Sequence, residues 1–425
     1  MSQRFALVAL GVLMLLLVGQ QLQGCAASAE GPVAAEAPAP VVVLVSLDGF
    51  RHDYLDRADV EAPTLRRLAA EGVRAERLVP VYPTKTFPNH YSIVTGLHPE
   101  RHGIVGNTMR DPLRLDADGA PARFSLSNRD AIRDGRWWGG EPIWVTAERQ
   151  GVRTATAFWP GSEAEIGGVR PSHWLPYDGA MPYADRVDQA LTWLDLPADG
   201  RPGLVLLYFE AVDTAGHRHG PASPETAAAI AEVDAALARF VGGLRQRGVA
   251  ADLVVVSDHG MAAVSPDRRV LLDDAVDLDA VADVVWGEAA GIWPGPGQSV
   301  DSVVARVDRL DHVAAYRRAE TPDRLRHRGS PRIPPVVVVP DVGWVVTSRA
   351  YAARRPDWPS GGAHGYDNVA PAMHGLFLAH GPSVRTGVRT GPVHAVDVYG
   401  ILAEALGVTP APTAGSPGAV TRVLR

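Results

Sequence analysis

Three aspartates and three histidines fall where they could share metal ions. Asp48 follows the apolar run "VVVLVSL". Asp213 follows "LVLLYFEAV", with His217 four residues later, and Asp258 and His259 follow "LVVVS". His364 stands in "GAHGYDN", ahead of a further apolar run. One aspartate after a strand reads equally well as a turn or cap residue. Three aspartates and three histidines repeating at such positions are harder to explain that way. Mixed carboxylate and imidazole donors suit zinc or manganese, whereas calcium takes all-oxygen shells. Six ligands match two metals that each keep room for a substrate. Paired metals clamp the attacking and leaving oxygens of an in-line displacement, which is the geometry of phosphoryl transfer.

Such a displacement needs a nucleophile. The stretch "YPTKTFPNHYSIVTG" (82–96) places Thr86 just before Phe87 and Pro88, where a helical pattern begins. The ordinary use of a threonine there is a helix cap. Beside a metal its hydroxyl has a second use, because coordination favours the alkoxide. A helix N-terminus adds positive potential where the phosphate oxygens gather. Thr84 offers the same chemistry, and the residues alone leave both open.

The elements that must carry these groups are legible as a repeating pattern. "VVVLVSLDG", "LVLLYFE", "DLVVVSDHG" and "HGLFLAHGP" read as buried strands. Residues 63–71 read as a helix stopped by Gly72, and "SPETAAAIAEVDAALARFVGGLRQRG" as a long helix capped by Ser223 with Glu225 in its first turn. "VHAVDVYGILAEALG" closes the chain as another helix. Alternating strands and helices imply an α/β fold with a mainly parallel central sheet covered on both faces. The pattern loosens over 265–362, where "PPVVVVP" and "GWVVTS" read as short strands in a smaller inserted α+β lobe of the 41–425 catalytic domain. The charged run "RLRHRGSPR" there reads as a solvated face.

The chain has 425 residues, 46% hydrophobic and 21% charged, with a net charge of −7 and no long basic run. That balance argues against a nucleic-acid duplex as partner. An apolar run from Phe5 to Val18 after Arg4 reads as a signal peptide over 1–25, followed by an Ala/Pro-rich linker over 26–40. The single cysteine, Cys25 in "LQGC", resembles a bacterial lipobox, and a cut after Ala29 competes with it. The expected protein is exported, either periplasmic or anchored at the outer membrane of a bacterium through a lipid on Cys25. No disulfide can form within the chain, and a monomer is the simplest assembly.

Seven segments together carry a family resemblance: "VSLDGFRHDYL", "PTKTFPNHYSIVTGLHPERHGIVGN", "EPIWVTAERQG", "FWPGSEAEI", "VDTAGHRHGP", "SDHGM" and "GAHGYDN". The chain closely resembles the nucleotide pyrophosphatase/phosphodiesterase family of the alkaline phosphatase superfamily. The resemblance implies an alkaline-phosphatase-like fold and two zinc ions per chain. It implies Thr86 as the nucleophile and Asp213, His217 and His364 on one zinc, with Asp48, Asp258, His259 and the Thr86 oxygen on the other. It further implies that Asn107, in "GIVGN", donates to a non-bridging phosphate oxygen, and that Phe87 and Tyr177 sandwich a nucleotide base. Trp159 and Tyr208 are further candidates for that pocket. Thr108 and Ser127 stand where some nucleotide-hydrolysing relatives have lysines. His90, one helical turn after Thr86, is expected to support the site from outside the metal shell.

The expected reaction passes through a phospho-threonine and releases a nucleoside 5′-monophosphate from a nucleotide diester or pyrophosphate. An alternative on the same metals is a phosphodiesterase of choline-type lipids or a phosphonate hydrolase. A sulfatase would need Cys or Ser at the nucleophile followed by Pro and Arg. The chain instead reads Thr86-Phe87-Pro88-Asn89-His90, which excludes it. A binding protein that had lost catalysis would be expected to lack some of the six ligands, and all are present.

Overall fold

Valine-rich runs that are apolar on both faces build the centre of the molecule. The computed structural model describes residues 41–425, so the leader, Cys25 and the linker expected over 1–40 lie outside the described residues. The strand Val41–Leu47 lies between Leu204–Phe209 and Ala251–Val256, parallel to both, with Val45 opposite Leu207 and Val255. Successive strand side chains point to opposite faces. Val42 and Leu44 therefore enter one apolar cluster, and Val43, Val45 and Leu47 another. Helices Thr86–Thr95, Ile143–Arg149 and Val398–Leu406 cover the first face through Ile93, Trp144 and Leu402. Helices Pro63–Glu71, Tyr183–Leu194 and Pro224–Gln246 cover the second through Leu68, Leu191 and Phe240. Burying a valine, leucine or phenylalanine fully is worth about 1.5–3 kcal/mol, so a sheet buried on both faces is a rigid base for the groups at its edge.

The whole sheet has eight strands, in the order Val388–Thr390, Val73–Ala75, Phe377–His380, Ala251–Val256, Val41–Leu47, Leu204–Phe209, Thr154–Ala157 and His173–Leu175. It is mixed, because Phe377–His380 runs antiparallel to both neighbours while the other pairs are parallel. A buried run such as "LFLAH" has the same apolar pattern in either direction, so the connections decide its sense. The three central parallel strands end together, with Leu47 opposite Phe209 and Ser46 opposite Val256. Asp48 and Asp258 follow directly at this edge, where functional groups of open α/β sheets gather.

Local signals set the helix ends. Pro224–Gln246 starts at Ser223, whose Oγ accepts the Thr226 N–H at 3.1 Å. Thr86–Thr95 has Lys85 as its N-cap residue with no side-chain cap bond, and it ends at Gly96 with φ 65°. Thr86 is thus the first helical residue, and its hydroxyl is not spent on capping.

Between 265 and 362 lies a separate antiparallel sheet in the order Asp283–Val285, Ala290–Trp293, Val336–Pro340, Val313–Arg317. The helix Val300–Val307 packs on it through Val303 and Val307, in an apolar cluster of its own with Ile292, Val336 and Val338. Three of these four strands were not expected from the sequence, because short runs such as "DVV" carry too little period to read. No helix among the described residues is long and apolar enough to cross a membrane.

Candidate active site

Asp48 and Asp258 leave the ends of adjacent parallel strands, and Asp213 and His217 lie one turn apart on the helix Ala211–His219 that follows a third. Gly49 makes this junction possible. Its φ is +69°, and a Cβ there would lie 2.8 Å from the Asp213 Cα. His364 follows the short strand Gly362–Ala363.

The six side chains form one cluster. His259 Nε2 lies 3.0 Å from Asp258 Oδ2 and 3.4 Å from Asp48 Oδ1. His217 and His364 Nε2 lie 3.5 and 3.6 Å from Asp213 Oδ1. The His259 and His364 rings stack with centroids 3.5 Å apart and join the two halves. Thr86 Oγ1 faces His259 Nε2 at 3.5 Å. Thr84 is different: its buried Oγ1 donates to Tyr366 O at 3.0 Å and accepts from Gly365 N at 2.9 Å.

Several observations fit this cluster to cations. Asp48 Oδ2 accepts the Tyr208 hydroxyl at 2.6 Å, and Asp258 Oδ1 accepts the Gly49 N–H at 3.2 Å. The remaining oxygens, Asp48 Oδ1 and Asp258 Oδ2, are buried without a hydrogen-bond donor, as is Asp213 Oδ1. His217, His259 and His364 sit with Nδ1 against the carbonyls of Gly362, Gly260 and Thr84, at 2.9, 2.9 and 2.7 Å. A carbonyl only accepts, so these Nδ1 atoms carry the proton and the Nε2 lone pairs face the cluster. The His217 and His364 Nε2 atoms are 3.0 Å apart, and two lone pairs at that separation call for a cation beside them. Burial, with the carboxylates of Asp258 and Asp213, pushes the Asp48 carboxyl well up; burial also raises Asp213. Burial alone would raise Asp258 too, but His259 and His90 hold it well below the usual carboxylate range. Burial opposes charge on His259, yet Asp258 outweighs it and raises that ring.

His90 also reaches this cluster: one of its ring nitrogens lies within 4.8 Å of ligand atoms of Asp48 and Asp258. Both nitrogens are occupied, Nδ1 by Thr86 O at 2.9 Å and Nε2 by Ser46 Oγ at 2.8 Å. His90 therefore steadies the turn that carries Thr86 and has no lone pair for a metal. The Ser257 hydroxyl likewise accepts the Phe50 N–H and donates to His259 O, tying both sides of the cluster together. Neither Ser46 nor Ser257 was expected at the site, because their only signal is a hydroxyl in or just after an otherwise apolar strand run.

The expected pocket residues divide. Trp159 is 1% exposed and its indole donates to His90 O at 3.3 Å, so it packs behind the site and does not line a pocket. Tyr208 is buried too, and its hydroxyl serves Asp48; the Trp159 and Tyr208 rings flank His90 edge-on. Phe87 is half-buried against Phe124 and Trp138, and Tyr177 stays 44% exposed beside Phe158. Asn107 Oδ1 accepts the Phe87 N–H at 3.0 Å, which fixes the carboxamide beside Thr86 with its NH₂ as the remaining donor.

Comparison with known proteins gives a consistent result. The family model for type I phosphodiesterase / nucleotide pyrophosphatase matches residues 42–367. An uncharacterised pyrophosphatase/phosphodiesterase of Schizosaccharomyces pombe is 37% identical over 394 residues, covering 88% of this chain and 78% of that protein. Human ectonucleotide pyrophosphatase/phosphodiesterase family member 1 is 35% identical over 397 residues, 91% of this chain. Venom phosphodiesterase of Naja atra is 36% identical over 395 residues, 90% of this chain. The chain spans only 42% and 46% of the lengths of these two animal proteins. Murine ectonucleotide pyrophosphatase/phosphodiesterase 5 superposes with a TM-score of 0.83 at 34% identity, covering 91% of this chain and 100% of that one. An inactive form of the murine protein, solved in complex with AMP, gives the same TM-score at 33% identity, covering 90% of this chain and 100% of that one.

Proposed function

The chain belongs to the type I phosphodiesterase / nucleotide pyrophosphatase family, a family of hydrolases, and on that basis we propose that it is a two-zinc enzyme cleaving phosphodiester and pyrophosphate bonds of nucleotides. The reading rests on one observation: three buried, donorless carboxylate oxygens and three imidazole lone pairs converge beside the Thr86 hydroxyl. Asp213, His217 and His364 would hold one ion; Asp48, Asp258, His259 and the Thr86 hydroxyl would hold the other. When bound, such ions supply Lewis-acid charge that favours a deprotonated hydroxyl and offsets charge on the phosphoryl oxygens.

The chain's own groups then act in sequence. Thr86 Oγ1 gives up its proton and bonds to phosphorus as the bond to the leaving oxygen breaks, and that oxygen takes up a proton. Water next attacks the phospho-threonine: its oxygen bonds to phosphorus, the Thr86 Oγ1–P bond breaks, and Thr86 regains a proton. The Asn107 amide donates to a non-bridging oxygen throughout, held in place by the Phe87 N–H. Phe87 and Tyr177 receive the base of a nucleoside 5′-monophosphate half; a nucleotide substrate is in keeping with the AMP complex of the murine relative. The leader over 1–25 directs the chain out of the cytoplasm.

The test is a substrate panel on the zinc-loaded chain. Nucleotide diesters and pyrophosphates should be cleaved to nucleoside 5′-monophosphates, with simple phosphomonoesters poor. Chelation should abolish turnover and zinc restore it. A preference for monoesters, or full activity after chelation, would contradict the proposal.

A further inference from the structure

A cavity of about 370 Å³ opens between the core and the antiparallel lobe, with Lys85 and Asn107 on its core side and Val284, Val285, Trp286 and Ala289 on its lobe side. Neither Phe87 nor Tyr177 lines it, and none of the six metal-directed side chains does. Lys85 precedes Thr86 in the chain, and Asn107 holds the Phe87 N–H, so the cavity begins one residue from the nucleophile. A diester has two arms on its phosphorus. With one on Phe87 and Tyr177, the other leaves on the side of phosphorus away from Thr86 Oγ1 and needs room there; the cavity, with the Lys85 side chain in its wall next to Gly365, supplies it.

The walls indicate what kind of arm fits. Lys85 Nζ is paired with Glu288 at 2.5 Å, both side chains largely shielded. Arg123 and Arg110 share Asp283, at 2.9 and 3.7 Å. Arg332 donates from Nε to Asp111 at 2.9 Å and from NH1 to the carbonyls of Gly103 and Trp137. Burial pushes His327 down to about 3, so that ring is neutral. A pyrophosphate tail entering here would have to compete with Glu288 for Lys85, with Asp283 for Arg123 and with Asp111 for Arg332, while Arg110, its Nε buried without a hydrogen-bond partner, lies over the Trp293 ring. Trp286, by contrast, is 44% exposed in the cavity wall and belongs to none of the apolar clusters of the core or the lobe.

We propose that this cavity is the subsite for the leaving arm and that it selects an uncharged, ring-bearing arm, such as a second nucleoside, over a bare pyrophosphate tail. The inference rests on the phosphodiesterase reading above and narrows its substrate class. Trp286 stacks on the arm's ring, and Glu288 offsets the Lys85 charge next to the nucleophile.

The test uses three AMP derivatives that differ in the leaving arm: the methyl and adenosyl esters, and ATP, the anhydride with pyrophosphate. Each variant is read as a ratio of kcat/KM against its own methyl ester, which removes differences in metal loading. Trp286→Ala should lower the adenosyl-to-methyl ratio about tenfold, the scale of one lost base–aromatic stack, while Trp286→Phe largely keeps it. Glu288→Gln, which releases Lys85, should raise the ATP-to-methyl ratio several-fold. An unchanged adenosyl ratio in a folded Trp286→Ala chain would overturn the inference alone, as would an ATP ratio that falls with Glu288→Gln. Failure to cleave any of the three substrates, the methyl ester included, would overturn the phosphodiesterase reading and this inference with it.

Discussion

Thr84 and Thr86 carry the same hydroxyl two residues apart, and only their neighbours separate them. Thr84 bridges Tyr366 and Gly365 in a buried layer, whereas Thr86 is half-buried with its Oγ1 facing His259. Thr86→Ala should remove nearly all turnover with little change in thermal midpoint. Thr84→Ala strands a buried N–H and a buried carbonyl and should cost about 1–3 kcal/mol of stability in denaturant titration. Peptide mapping of chain quenched during turnover should find phosphate on residue 86, and a working Thr86→Ala enzyme would refute the assignment. Tyr208 makes a second residue-scale case. Its hydroxyl donates to Asp48 Oδ2, so Tyr208→Phe should weaken zinc binding by about 10–100-fold in competition with a chromophoric chelator. Undiminished zinc affinity, with weaker nucleotide binding instead, would return Tyr208 to the base pocket.

At the scale of elements, the site depends on how closely the strand Val41–Leu47 approaches the helix Ala211–His219. Gly49 sets that approach. Alanine at 49 would meet a left-handed backbone costing about 1–2 kcal/mol and a Cβ contact of 2.8 Å with the Asp213 backbone. Gly49→Ala should therefore lower the denaturant midpoint and also separate Asp48 from Asp213, so that zinc stoichiometry falls even where the chain stays folded. Full zinc content in a folded Gly49→Ala chain would show that the junction tolerates more movement than its packing implies.

For the whole molecule, metal and fold should be linked. The imidazole lone pairs and donorless carboxylates must be deprotonated to hold zinc, and burial raises Asp48 and Asp213 so that they keep protons longer as pH rises. Zinc binding should release protons, and its upward shift of the thermal midpoint should be larger near pH 8 than near pH 6. A larger shift at the acid end would contradict the ligand set. The export proposal concerns residues outside those described. Mass spectrometry of native protein should find a mature N-terminus near Cys25 or Glu30, with or without lipid, and an intact Met1 on the active protein would refute it.

Local pattern alone determined much of this protein. The buried strands at 41–47, 204–209 and 251–256 and the helix Pro63–Glu71 follow from runs and stop signals that act over a few residues. The six Asp and His positions were legible because strand ends are where such groups are useful, and the motif segments named the family. Tertiary structure decided the rest. The antiparallel sense of Phe377–His380 comes from connections, and Trp159 packs behind His90 through a contact across 69 positions. Tyr208 became a support for Asp48 across 160 positions, and Lys85 was neutralised by Glu288 across 203. Periodicity reports which face of an element is apolar. A polar side chain's task depends on which distant group the packed core sets within 3 Å of it, and no local pattern encodes that.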